Sequence, residues 1–202
     1  MTPADRRLAL LAELTARNAI HRRILAPVAI GIGATALVVA VTLVGRPFAV
    51  RALDFELVWL AIAVFGILLL VANLWRSAAR REEPPITPRT LLVVTAVLPA
   101  TLSAAAVSFA AAATHMQPLA TSGFWMIFYG LALLASSPFA PRTVPALGWV
   151  FLVSGLTLLS VLCSRFDLLL RLDFTLAGYW IMGCTFGLYH LAYGWLTWPG
   201  KK

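Results

Sequence analysis

Six stretches of this chain run the length of a membrane crossing without one charged side chain. They are Ile24 to Val44, Leu57 to Trp75, Thr90 to Ala113, Leu119 to Ser137, Ala146 to Cys163 and Phe174 to Trp198. A helix rises about 1.5 Å per residue, so roughly 20 apolar residues cross a hydrocarbon layer of about 30 Å. Strict period-2 alternation is absent, and transmembrane strands would be half as long with one polar side. Of the 202 residues 61% are apolar and 12% charged, too little polar surface to wrap a water-soluble core. The same figures exclude disorder. Two cysteines exclude a disulfide scaffold or a cysteine-rich metal cluster. The expected fold is therefore all-α, a polytopic bundle of six transmembrane helices.

The connections orient the bundle. Arg6, Arg7, Arg17, Arg22 and Arg23 precede the first span, and Arg76, Arg80, Arg81 and Arg89 lie between the second and third. Arg142 lies between the fourth and fifth, and Lys201 and Lys202 end the chain. The opposite side holds only Arg46, Arg51, Arg165 and Arg171. Positive loops stay in the cytoplasm, which puts both termini inside. The acids divide evenly between the sides, Asp54, Glu56, Asp167 and Asp173 falling outside, so the net +8 is cytoplasmic. That charge reads as loop retention and attraction to anionic lipid, with no nucleic-acid partner. Tryptophans should form interfacial belts, Trp59 and Trp125 towards outer ends and Trp75, Trp149, Trp195 and Trp198 at inner ends. Pro99, inside the third span, should kink it and free a carbonyl.

Residues 1–23 read as a separate amphipathic cytoplasmic helix, residues 24–198 as the bundle and 199–202 as a tail. Thr2-Pro3-Ala4-Asp5 has the form of a capping box with proline at the first helical position. Arg6, Arg7, Arg17, Arg22 and Arg23, with Arg80 and Arg81 of the second cytoplasmic loop, are the expected contacts for lipid headgroups or a protein partner.

With the acids assigned to loops, the spans carry no Asp, Glu, Lys or Arg, so a carboxylate proton relay has nothing to run on. No metal site and no cofactor is expected, since one intramembrane histidine cannot supply three ligands. That histidine is His190, in the stretch Phe186 to Gly194 (FGLYHLAYG). Gly187, His190 and Gly194 share a helix face, and Gly183 with Gly187 forms a small-xxx-small pair for close helix packing. His190, Ser154, Tyr189 and Tyr193 make the candidate polar intramembrane site. Ser154 and His190 should lie at similar depth on consecutive antiparallel helices, where contact would fasten the two together. A haem bridge to His115 is excluded by an axial gap on the order of 20 Å. The rhomboid-protease pattern fails, because G-x-S-G is missing from the fourth span and the first loop is short. Two inverted three-span halves would suit a transporter, but Pro99 has no counterpart in the sixth span.

The text WMIFYGLALLASSPFAPR and the GLYHLAYG stretch resemble small six-helix bacterial inner-membrane proteins. The resemblance implies a bacterial inner membrane and carries no activity or functional residue to this chain. The function expected is that of a non-enzymatic membrane partner, regulator or scaffold, with or without homo-oligomerisation. The alternatives are an intramembrane site around His190 for a lipid-like or small apolar molecule, or a small transporter.

Overall fold

The computed structural model describes residues 3–44, 52–80, 82, 84, 86–114, 116–164 and 175–198, with backbone alone for 3–23, 52–54 and 89. Among these the chain is helical throughout, with no strand. The helices are α1 (Pro3–Val44), α2 (Ala52–Ala79), α3 (Pro88–Thr114), α4 (Pro118–Ala135) and α5 (Thr143–Ser164). A last helical stretch joins α6 (Thr175–Met182), a π-helical segment (Gly183–Tyr189) and α7 (His190–Leu196). Five of the helices are long and apolar enough to cross a membrane: α1 from Ile24, then α2 to α5. That length and hydropathy make this a membrane protein.

Two differences from the sequence reading concern α1 and α4. The arginine-rich stretch is not set off from the first span, because one unbroken helix runs from Pro3 to Val44 with Pro27 inside it. The fourth span, read as Leu119 to Ser137, is helical over Pro118–Ala135, with Pro118 at its first helical position. A single 3-10 turn, Ser137–Phe139, then leads out. Pro99 likewise lies inside a continuous α3.

The α4 and α5 helices pack antiparallel, and α4 runs parallel to the last helical stretch, Pro118 lying by Gly178 and Tyr129 by His190. Main chains approach closely between α4 and α5, where a side chain on Gly130 would meet the Gly148 carbonyl at 2.7 Å. One on Gly155 would meet the Gly123 carbonyl at 2.8 Å. The α1 helix runs antiparallel to the last helical stretch, Ala26 lying by Gly194, Gly33 by Gly187 and Ala40 by Gly183. The α2 helix packs mainly on α1, and α3 mainly on α4. Outward faces are apolar, Phe109 of α3 being 74% exposed, as lipid-facing surfaces are.

The core is aromatic. Phe55 and Trp59 of α2 meet Tyr179 of α6, and Phe186 of the π segment meets Phe151 of α5 and Tyr129 of α4. Trp59 is only 2% exposed, and the indole nitrogens of Trp59 and Trp125 are both buried. The expectation of an interfacial belt is thus corrected for these two, whose rings fill space between helices. Trp75, Trp149, Trp180, Trp195 and Trp198 do face outward.

Candidate functional site

His190 begins α7 and is 2% exposed. Its Nδ1 lies 2.7 Å from the Phe186 carbonyl, one turn back. A carbonyl only accepts, so Nδ1 carries the proton and Nε2 is the lone-pair nitrogen. The Tyr129 hydroxyl, 2.7 Å from Nε2, therefore donates to it. Both ring nitrogens are consumed. The helix itself adapts around this ring, as the residues from Gly183 to Tyr189 widen into a π-helix. A side chain that bonds into the backbone ladder is a common cause of such local rewinding.

Ser154 does not reach His190. Its Oγ lies 3.1 Å from the Tyr189 hydroxyl, which corrects the expected contact. Consecutive helical residues point about 100° apart, so Tyr189 turns to α5 while His190 turns to α4. The two pairs fasten the last helical stretch to both neighbours: Tyr129–His190 to α4 and Ser154–Tyr189 to α5. Phe151 closes the space between them, its ring centroid 5.3 Å from Tyr189 and 5.5 Å from His190. Phe186 stacks on the imidazole at 6.0 Å. The hydroxyl bonded to the imidazole is therefore that of Tyr129 and not that of Ser154.

Tyr193 lies near enough to the Tyr129 hydroxyl to interact with it electrostatically. It lines an open apolar groove of about 280 Å³ with Tyr189, Leu147, Val150, Thr143 and Leu196. His190 is not among the groove's lining residues. Gly183, Gly187 and Gly194 lie against α1, where added side chains would meet Ala40, Leu37 and Ile30. Arg80 is exposed. The side chains of Arg6, Arg7, Arg17, Arg22, Arg23 and Arg81 lie outside the described residues. Asn73, near the inner end of α2, donates from Nδ2 to the Leu69 carbonyl of its own helix at 2.9 Å. Cys163 and Cys184 are free thiols. Among the described residues no three His, Cys, Asp or Glu side chains gather as metal ligands would.

One acid that the sequence places in an outer loop belongs here. Glu56 lies within α2 and is 7% exposed, so the expectation of spans without a carboxylate is corrected. Its carboxyl faces Trp125 and Thr121 of α4 and Ser108 of α3. Its Oε2 is buried and makes no hydrogen bond, as is true of the Trp125 indole nitrogen. Phe55, Trp59 and Ile62 follow helical spacing and are all buried. That spacing is the signal that α2 begins earlier than the charges of Asp54 and Glu56 imply.

No family model, no curated protein and no solved structure matches this chain.

Proposed function

We propose that this is a non-enzymatic, six-span protein of a bacterial inner membrane, acting as a partner or scaffold for other membrane components. The observation that carries the reading is the state of His190. Both of its nitrogens are engaged, by Tyr129 and by the Phe186 carbonyl, and aromatic rings surround it. An imidazole so held serves as a fastener between helices. In this reading the last helical stretch, residues 175–196, is the sixth span, and both termini are cytoplasmic by the arginine bias. The arginines of residues 1–23 with Arg80 and Arg81 engage anionic lipid headgroups or an acidic face of a partner protein. The apolar outward faces of α2 and α3 are available to partner helices or to a second copy of the chain.

The test is purification from native membranes in mild detergent, followed by native mass spectrometry. A stoichiometric protein or lipid companion is expected. It should survive His190→Gln and be lost when Arg80 and Arg81 are replaced by Gln. A chemical conversion abolished by His190→Gln in a protein that stays folded would overturn the reading.

A further inference from the structure

Glu56 is the described acid that the packing of the bundle encloses, and the fastening role proposed above makes no use of it. It sits in the first turns of α2, at the end of the bundle where α1 stops and α2 starts. That is the arginine-poor end. Two helices supply its polar surroundings: the Ser108 hydroxyl of α3, and the Thr121 hydroxyl and Trp125 indole of α4. The two hydroxyls are already committed to their own helices, Ser108 to the Ala104 carbonyl at 2.9 Å and Thr121 to the Gln117 carbonyl at 3.4 Å. Oε2 itself has no hydrogen-bond partner, although the residue is more than nine-tenths buried. Ionised, such an oxygen would carry charge in a low-dielectric place with only the Trp125 indole N–H uncommitted beside it, whereas the protonated carboxyl removes the charge.

No other acid or base stands in the facing halves of the helices around it. Residues 34–44 of α1, 102–114 of α3 and 118–129 of α4 hold no Asp, Glu, Lys, Arg or His, and α6 brings only Tyr179. Along the chain the nearest charged or titratable groups at that end are Arg46, Arg51 and Asp54 before Glu56, His115 after α3, and Arg171 and Asp173 before α6. The α2 helix rests mainly on α1 and touches α3 and α4 sparingly, so the carboxyl is one of few links between them.

We propose that Glu56 is a proton-binding site, filled from the aqueous phase at the arginine-poor end, whose ionisation loosens α2 from α3 and α4. The proton adds to one carboxylate oxygen when the contact is closed and returns to water when it opens.

The experiment is infrared difference spectroscopy of the full chain in detergent, with pH stepped through the range in which the protein stays folded. A protonated-carboxyl stretch is expected at the high-frequency position of a group with few hydrogen bonds, and it should vanish in one titration as pH rises. Labelling glutamate with carbon-13 should shift it, and Glu56→Gln should remove it. Hydrogen exchange supplies the second readout. Above the titration, amides in the first turns of α2 should exchange faster in the wild type than in Glu56→Gln, whose amide mimics the closed form. A band that is absent, insensitive to labelling or retained in Glu56→Gln overturns the proposal. So does a band removed by sodium at constant pH, which would make this an alkali-cation site. Should Glu56→Gln fail to fold, the labelled wild type and its own exchange profile still decide.

Discussion

A histidine inside a membrane protein invites a chemical role, and at the scale of single residues the geometry of His190 supports the fastening role proposed above. Its two bonds leave no lone pair or proton unspent. Removing the Tyr129 hydroxyl strands Nε2 in an apolar setting, and an unmade buried hydrogen bond costs about 1 kcal/mol in membrane proteins. Tyr129→Phe should lower stability by that amount in a reversible denaturation series in mixed micelles. His190→Ala should cost more, about 2–3 kcal/mol, since it strands the Tyr129 hydroxyl and opens space beside Phe151. A cycle of the two changes should then show non-additivity, because they share one bond. Tryptophan supplies an independent check. Brominated lipids should quench Trp75, Trp149, Trp195 and Trp198, which face outward, and leave Trp59, at 2% exposed, unquenched. Single-tryptophan variants would read this directly.

At the scale of elements, α4 and α5 are held by glycine pairs that repeat seven residues apart on both helices, Gly123 and Gly130 against Gly155 and Gly148. A seven-residue repeat keeps small residues on one seam, so two backbones approach more closely than any side chain permits. Gly130→Ala places a Cβ 2.7 Å from the Gly148 carbonyl. Backbone cannot yield as a side chain can, and overpacking should cost about 1–3 kcal/mol. Gly31→Ala makes a useful contrast. Its new Cβ would meet only the Leu69 Cδ1 at 2.9 Å, and a leucine tip can rotate away. The gain in helix propensity, up to about 1 kcal/mol, should leave that variant near neutral. Thermal unfolding of both variants in one detergent would separate the cases. The glycine spacing on α4 and α5 was legible in the sequence, yet which helix each seam meets was not. Spacing shows that a face is small, while its partner depends on the order in which helices neighbour one another.

At the scale of the whole molecule, the first testable property is sidedness. Reporter fusions after Lys202 and within residues 81–87 should be active in the cytoplasm, and one within residues 46–51 active on the opposite side; any other pattern would reverse the assignment. Solvent and span length were determined by the sequence alone. Burying polar backbone in lipid demands helices, and a run of about 20 uncharged residues is that demand written in one dimension. Such runs predicted α1 to α5 to within a few residues at most ends. The tertiary structure alone decided which polar groups meet. Tyr129 and His190 are 61 positions apart, and Ser154 and Tyr189 are 35 apart. Hydropathy is a property of each residue summed along the chain, whereas a hydrogen bond needs the azimuths of two helices and the local rewinding at Gly183–Tyr189. The same limit explains Glu56. Its charge marks a loop in one dimension, but the enclosing residues of α3 and α4 arrive from elsewhere in the chain and bury it.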